Sequence, residues 1–283
     1  MIIQRKPEWL QKRLNPSQQA DMLGLLGELS LNTVCQQALC PNISECFSSG
    51  QATFLILGKN CTRLCSFCNV EKSPPQPVDR EEPQRVAMAV ERLKLGHVVI
   101  TSPTRDDLTD GGAGLYAATI AAIRSTSPAT RIEPLIPDFQ GSRQSLEIVV
   151  KAAPDIIAHN VETVPRLYHI RNGADYGRSL EVLSWCCALG VGIPVKSGIM
   201  LGMGEMRDEV EQVLSDLHGV GCSYLSIGQY LAPSRNHHPV QEYIRPEVFE
   251  NLRATALKIG FAHVESGPYV RSSYHAAQYG SLV

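Results

Sequence analysis

Three cysteines lie close together in the segment CTRLCSFC, at Cys61, Cys65 and Cys68. A four-iron cluster offers four ligand positions, so three thiolates leave one iron open to chelate a small molecule. A zinc ion held by the same thiols would need a fourth ligand, such as a histidine from elsewhere in the chain. The spacing therefore favours an iron–sulfur cluster with an open iron, and a zinc site is the alternative.

A second group of three cysteines precedes the first, in the segment CQQALCPNISEC, at Cys35, Cys40 and Cys46. We expect this segment to be a loop without strands, because loops with thiols at such spacings can wrap a cluster. Another zinc site and buried free thiols are the alternatives for this group. The remaining cysteines are predicted to be small buried apolar residues: Cys186, Cys187 and Cys222.

The composition limits the classes of partner and the compartment. The chain has 283 residues, with 26 basic and 28 acidic side chains and a formal net charge of −2. Nucleic-acid binding usually requires a basic excess, so we expect no nucleic-acid partner. We find no apolar run long enough to span a membrane, and the charged segment MIIQRKPEWLQKRL lacks the apolar core of a signal peptide. We therefore expect a cytoplasmic protein whose cysteines are metal ligands or free thiols and not disulfides.

Beyond residue 50 the chain alternates between short apolar segments typical of buried strands and amphipathic segments typical of helices. Strands are predicted at residues 53–58, 97–102, 131–136, 155–160, 192–200 and 223–231, with a last one at 261–266. Helices are predicted at residues 81–96, 114–127, 143–153, 178–190, 209–221 and 246–260. This order implies parallel strands with right-handed crossovers, in either an open sheet or a barrel. Residues 1–50 differ, with predicted helices at PEWLQKRL and SQQADMLGLLGELS.

The predicted strands place the first cysteine triplet at one end of the sheet. The first strand ends at Gly58, and CTRLCSFC follows almost at once. Ligands of α/β proteins bind beyond the carboxyl ends of the strands. By the same argument, four polar residues at or after other strands are candidates to contact a ligand: Thr101, Asn160, Glu162 and Lys196.

The cysteine segments carry a family resemblance. The C-x3-C-x2-C spacing, with the aromatic Phe67 before the last cysteine, resembles the radical S-adenosylmethionine superfamily. The C-x4-C-x5-C triplet ahead of it resembles one family within that superfamily, the lipoyl synthases. Further segments are similar to blocks of that family, in the same order: TSPTRDDLTDGGA, HNVETV, YGRSLEVL, VKSGIMLGMGE, QYLAPSRNHHPV and ESGPYVRSSYHA. The resemblance covers most of the chain.

The resemblance implies an α/β fold with a partial (β/α)6 TIM-like barrel over residues 51–260. Residues 1–50 would then be an N-terminal helical extension that carries the auxiliary-cluster cysteine loop. Residues 261–283 would be a C-terminal strand and a tail that contains the RSSY motif. The barrel explains why the predicted strands and helices alternate over six units.

The resemblance also implies an activity, namely the insertion of two sulfur atoms at C6 and C8 of a protein-bound octanoyl-lysine. Two S-adenosylmethionine molecules would be used for each product. The cofactors would be two 4Fe-4S clusters and S-adenosylmethionine. Cys61, Cys65 and Cys68 would hold the cluster that cleaves S-adenosylmethionine, and the other triplet would hold the auxiliary cluster that donates sulfur.

The family's RSSY motif implies a fourth ligand for the auxiliary cluster. In that family a serine of the motif coordinates the remaining iron, and we expect Ser273 to take this catalytic and metal-binding role, with Ser272 as the alternative. The cofactor-binding residues expected to contact S-adenosylmethionine are Thr101, Asn160, Glu162 and Lys196. Without the family pattern, RSSY would be interpreted as a polar tail with a capping serine.

The partners implied are octanoylated lipoyl domains of 2-oxoacid dehydrogenases and the glycine cleavage H protein. A low-potential electron donor of the ferredoxin or flavodoxin type and a cluster-repair protein are also implied. Rival hypotheses fit the sequence less well. A methylthiotransferase would carry an RNA-binding domain, a biotin-synthase-like enzyme would lack the RSSY tail, and a two-cluster electron carrier would need four strong ligands per cluster. A zinc-binding interaction module is the remaining alternative.

Overall fold

The computed structural model describes residues 5–12, 15–274, 276 and 279. Its central sheet contains eight strands in chain order. They are β1 (Asn32–Thr33), β2 (Thr53–Leu55), β3 (His97–Thr101), β4 (Arg131–Leu135), β5 (Ile157–Ala158), β6 (Val195–Leu201), β7 (Tyr224–Gln229) and β8 (His263–Gly267). The first strand runs antiparallel to β2, and every later neighbour pair is parallel.

Three helices precede or surround the cysteine segment of the extension, and six more cross between the parallel strands. The first three are α1 (Ala20–Glu28), α2 (Val34–Gln37) and α3 (Ile43–Ser48). The six crossovers are α4 (Glu82–Arg92), α5 (Ala113–Thr126), α6 (Arg143–Lys151), α7 (Tyr176–Leu189), α8 (Arg207–Gly219) and α9 (Pro246–Ile259). Several begin where the sequence supplies a start signal. Ser142 and Asp175 accept hydrogen bonds from backbone N–H groups at the starts of α6 and α7, and Pro246 is the first residue of α9.

The parallel strands form a partial barrel, as predicted. Six strand–helix units run from β2 to α9, and β8 completes the parallel set. Among the described residues no ladder joins β8 to β2, so the barrel stays open on that side. The predicted strand at 155–160 is shorter than expected. Its ladder with β6 ends at Ala158, and a single bridge follows from Glu162, which takes a left-handed backbone conformation (φ 65°), to Ile199.

The N-terminal extension corrects two expectations. The segment around the second triplet is not a strand-free loop, because β1 pairs with β2 and the helices α2 and α3 form on either side of Cys40. The hydroxyl of Thr33 caps α2 by accepting from the Gln36 N–H. The other predicted helix, PEWLQKRL, contains only a 3-10 turn at Glu8–Leu10, and residues 13 and 14 lie outside the described part of the chain.

The apolar core joins the extension to the barrel. Met22, Leu26 and Phe47 of the extension belong to the same buried cluster as the strand residues Phe54 and Ile100. Burial of such side chains is the main stabilising contribution to the fold.

Two further sequence expectations concern the remaining cysteines and the membrane. Cys186 and Cys222 are buried, as predicted, whereas Cys187 is only partly buried. No helix within the described residues has both the length and the apolar character needed to cross a bilayer.

Candidate active site

The first cysteine triplet lies on the loop that follows β2, and a buried ion pair fixes this loop to its neighbours. Arg63, between Cys61 and Cys65, bonds both carboxylate oxygens of Asp106 (2.8 and 3.0 Å) and both of Asp138 (2.6 and 2.9 Å). Both Arg63 and Asp138 are buried. A buried guanidinium needs such partners, because an unpaired charge away from water is costly. The chain therefore holds the thiol loop against the segments that follow β3 and β4.

The three thiols of this loop face a cavity of about 500 Å³ at the carboxyl ends of the parallel strands. Thr101, Asn160 and Glu162 line the same cavity. The hydroxyl of Thr101 donates to the Leu135 carbonyl (2.9 Å), which leaves its oxygen's lone pairs for another partner. The structure thus brings three of the four predicted cofactor-contact residues together with the first triplet.

Several polar atoms in the wall of this larger cavity lack a partner within the described residues. They are the Oδ1 of Asn160, the Nε2 of His159 and the Nε of Arg171. Buried polar atoms in folded proteins are normally hydrogen-bonded, so an unpartnered set in a cavity wall indicates a polar ligand. Glu162 adds backbone strain at the same place, because a left-handed conformation is rare outside glycine and such strain concentrates at functional sites. These features fit a ligand with both donor and acceptor groups.

The second cysteine triplet lines a separate cavity of about 240 Å³. Cys35, Cys40 and Cys46 share this smaller cavity with Ser273. Thr53 and His97, the first residues of β2 and β3, also line it, so it lies towards the amino ends of the strands. The two thiol triplets therefore lie towards opposite ends of the barrel strands.

The two cavities adjoin each other. Both are lined by a common set of residues: Cys35, Cys40, Thr53, Arg271 and Ser273. A molecule in the larger cavity therefore reaches the wall formed by the second triplet without leaving the barrel.

The two serines of the tail have different surroundings. The Ser272 hydroxyl accepts from the Asn160 side-chain amide (2.6 Å), and Ser272 lines only the larger cavity. Ser273 lines both cavities and is the serine that faces the second triplet. Of the two, Ser273 is the one positioned to complete a set of three thiols and one hydroxyl.

Lys196 does not line either cavity. It is fully buried behind the wall, where its ammonium donates to Glu133 (2.9 Å) and to the carbonyl of Ser272 (2.6 Å). Burial alone would raise the pKa of Glu133, but Lys196 and His97 together hold it below its usual value. The structure therefore gives Lys196 contact with the RSSY tail and not with the cavity in which a cofactor would bind.

The donor sets suit iron–sulfur clusters. Burial raises the pKa of the Cys35 and Cys68 thiols to about 11 and that of Cys46 to about 12. Within the described ranges, no three His, Cys, Asp or Glu side chains are gathered in a way that would hold a single metal ion. Each triplet instead surrounds a cavity. The thiols present are soft ligands of the kind that clusters require.

Sequence reasoning missed four residues of the site: Arg63, His159, Arg171 and Arg271. Arg63 stands inside the cysteine motif and His159 inside HNVETV, so proximity to those motifs was the available signal. Arg271 belongs to RSSY but had no role assigned. Arg171 lies in a loop without a motif, and only its approach to the carbonyls of Asn160 and Val161 reveals it.

His159 makes the stability of this site dependent on pH. Burial, and then the nearby charge of Arg171, lower the pKa of His159 from 6.5 to about 4, while its Nδ1 bonds the Ile136 carbonyl. The unfolded chain therefore binds a proton between these pH values that the folded chain does not. The contribution of neutral His159 to the free energy of unfolding is complete above pH 6.5. It is lost as the pH falls towards 4, and the total loss is about 3 kcal/mol.

The measurement is the free energy of unfolding at pH 7 and pH 5 for the wild type and for His159→Asn. We expect the wild type to lose about 2 kcal/mol more than the variant over this range. His169→Asn, which changes an exposed histidine, serves as the control and should follow the wild type. Equal slopes for the wild type and His159→Asn would contradict a neutral buried imidazole.

Comparisons with known proteins agree with this geometry. Residues 55–217 match the family model described as the radical SAM superfamily. A lipoyl synthase from Geobacter metallireducens is 69% identical over 279 residues, which cover 99% of this chain and 99% of that protein. One from Trichlorobacter lovleyi is 66% identical over 280 residues, 99% of this chain and 100% of that protein.

A solved structure supports the fold alone. Methylornithine synthase (PylB) superposes with a TM-score of 0.56 at 13% identity, over 85% of this chain and 80% of that chain. The superfamily match leaves the second triplet and RSSY outside its limits, whereas the two relatives extend over both.

Proposed function

The chain belongs to the lipoyl synthase family of the radical S-adenosylmethionine superfamily, and from this premise we propose that it inserts two sulfur atoms into a protein-bound octanoyl-lysine, at C6 and C8. Two molecules of S-adenosylmethionine are used for each product. The observation that carries the proposal is the pair of adjoining cavities, of which the larger is lined by all three thiols of the first triplet and the smaller by all three of the second. A single cluster would need only one of them.

Membership of the superfamily means that the protein uses a 4Fe-4S cluster and S-adenosylmethionine. Cys61, Cys65 and Cys68 hold this cluster at the larger cavity. When bound, the cluster and S-adenosylmethionine supply a radical that abstracts hydrogen, and an auxiliary cluster supplies the sulfur. The barrel binds and orients these groups and keeps water away from them.

Asn160, Glu162 and Thr101 bind S-adenosylmethionine from the cavity wall. Two of the unpartnered atoms, the Asn160 Oδ1 and the His159 Nε2, are acceptors for its amine and hydroxyl groups. The Arg171 Nε is a donor for its acceptor atoms. Lys196 acts indirectly. Its ammonium donates to the Ser272 carbonyl, and the Ser272 hydroxyl accepts from the Asn160 side-chain amide. It is a positioning residue in this proposal.

Cys35, Cys40, Cys46 and Ser273 hold the auxiliary 4Fe-4S cluster. A hydroxyl oxygen is a harder ligand than a thiolate and binds iron less firmly in a thiolate site, which suits a cluster that must give up sulfur. Because Ser273 lines both cavities, this ligand lies on the side from which an octanoyl chain would approach.

The substrate is the octanoylated lipoyl domain of a 2-oxoacid dehydrogenase, or the glycine cleavage H protein. A low-potential donor of the ferredoxin or flavodoxin type supplies electrons, and a cluster-repair protein restores the auxiliary cluster. The net charge of −2 gives no reason to add a nucleic-acid partner, and cytoplasmic localisation follows from the reduced thiols that the chemistry needs.

An anaerobic single-turnover assay tests the function. Reconstituted protein is mixed with S-adenosylmethionine, a strong reductant and an octanoyl-lysyl peptide, and the products are identified by mass spectrometry. We expect one and then two sulfur atoms on the peptide, with 5′-deoxyadenosine formed alongside. Iron and sulfide analysis of the same protein is the control, because it should show two clusters. The assay is repeated with an octanoylated lipoyl domain, and formation of 5′-deoxyadenosine with no sulfur on either substrate would contradict the proposal.

A further inference from the structure

Three arginines line the larger cavity, and they differ in their partners. Arg63 has two carboxylates. Arg171 and Arg271 have none within ion-pair distance in the described part of the chain, although both line the cavity. Each lies beside one thiol triplet, Arg171 near Cys65 and Arg271 near Cys40.

Arg271 is the less satisfied of these two. Its guanidinium has five N–H donors, and the described residues offer it one acceptor, the carbonyl of Val270 (2.6 Å). Arg171 reaches two backbone carbonyls and the Tyr168 hydroxyl. Arg271 is partly buried, and a guanidinium stays charged in proteins. A cation placed in this way is costly unless an anion faces it.

The backbone fixes Arg271 in place. The tail passes directly over β7, where a Cβ at Gly228 would collide with the Val270 carbonyl oxygen. The same Cβ would lie 3.4 Å from an Nη1 atom of Arg271, so the side chain also packs on this strand. Arg271 therefore stands at the junction of the two cavities and lines both.

We propose that Arg271 donates hydrogen bonds to sulfur atoms of the auxiliary cluster and compensates its negative charge. The inference rests on the proposed function, since it assumes a cluster bound by Cys35, Cys40, Cys46 and Ser273. Three thiolates and an alkoxide give that cluster a net negative charge. Hydrogen bonds to sulfur and nearby positive charge are two of the factors that set a cluster's reduction potential. Arg271 thus raises the reduction potential of the auxiliary cluster.

The test is the midpoint potential of each cluster in the fully loaded full-length protein, measured by film voltammetry. A Cys65→Ala variant identifies the auxiliary signal by removing a ligand of the other cluster. We expect Arg271→Met to move the auxiliary signal to a lower potential. Arg271→Lys should move it less, because lysine keeps the charge but loses the planar fork of donors.

Arg171→Met is the matched control. It removes the other cavity arginine without a carboxylate, and it should leave the auxiliary potential unchanged. If Arg271→Met fails to retain the auxiliary cluster, the auxiliary potential of Arg271→Lys is compared with that of the wild type instead. The role of Arg271 would be overturned if the variant that retains the auxiliary cluster, Arg271→Met or Arg271→Lys, had the same auxiliary potential as the wild type. That result would leave the proposed function intact. A wild-type protein that takes up only one cluster would overturn the proposed function as well, which makes the two failures distinguishable.

Discussion

Replacement of Ser273 by alanine is expected to preserve cleavage of S-adenosylmethionine but to lower formation of the doubly sulfurated product by about a hundredfold or more. Loss of a residue that only supports a metal ligand already costs about 10–100-fold, and Ser273 is proposed to be a ligand itself. Ser273 also lines the larger cavity, but the thiols proposed to hold the first cluster lie on the separate loop after β2, so 5′-deoxyadenosine should still form. The measurement is single-turnover product analysis, with the iron content determined in parallel.

Ser272→Ala is the matched control, since it removes the neighbouring hydroxyl. That hydroxyl bonds Asn160 and does not line the smaller cavity, so we expect Ser272→Ala to retain the auxiliary cluster. Its effect should fall on S-adenosylmethionine binding, through Asn160. Normal product from Ser273→Ala would contradict its assignment as a ligand, and loss of the auxiliary cluster in Ser272→Ala alone would assign that role to Ser272.

Lys196→Met is expected to destabilise the fold by about 3–5 kcal/mol, which is the usual cost of removing one partner of a buried ion pair. Lys196 and Glu133 are both fully buried, and the ammonium lies 3.6 Å from the centre of the Tyr279 ring. The variant leaves the Glu133 carboxylate with His97 as its remaining partner (3.0 Å) and frees the Ser272 carbonyl. The measurement is urea unfolding of the variant and the wild type.

A double variant separates the effect of the charge from that of packing. Glu133→Gln combined with Lys196→Met removes both charges, and we expect it to recover much of the lost stability. Arg207→Met provides the external reference, because the Arg207–Glu211 pair on α8 is exposed and should contribute less than about 1 kcal/mol. A loss of stability in Lys196→Met no larger than that in Arg207→Met would show that the buried pair contributes little.

The strands and crossover helices could be predicted because each depends on local information. The runs HVVIT and YLSIGQ are apolar and largely or fully buried, and several crossover helices, such as α6, α7 and α9, show start signals in the sequence. The cysteine loop after β2 followed from the rule that sites lie at the carboxyl ends of strands. These inferences need no contact between distant residues.

The extension and the inner wall of the site could not be predicted because they depend on contacts between distant parts of the chain. β1 is only two residues long, and its pairing with β2 decides its conformation. Lys196 looked like a ligand-facing residue because β6 ends near the cavity, but Glu133 on a different strand holds its ammonium inside the barrel. Periodicity shows which residues are buried and does not show which buried partners meet.

The proposed auxiliary site is assembled from two segments that lie far apart in the sequence, which sets the stage of folding at which it can form. Asn42, next to the second triplet, bonds the Tyr269 carbonyl across 227 positions (2.7 Å), and Ser273 follows a few residues later. Contacts of such sequence separation close late in folding, because the cost of joining distant segments must first be met. The Cys61–Cys65–Cys68 loop is held by Asp106 and Asp138, 43 and 75 positions from Arg63, whereas the proposed auxiliary site depends on a contact across 227 positions. We therefore expect the proposed auxiliary site to be completed only after the barrel that separates its two segments in the sequence has folded.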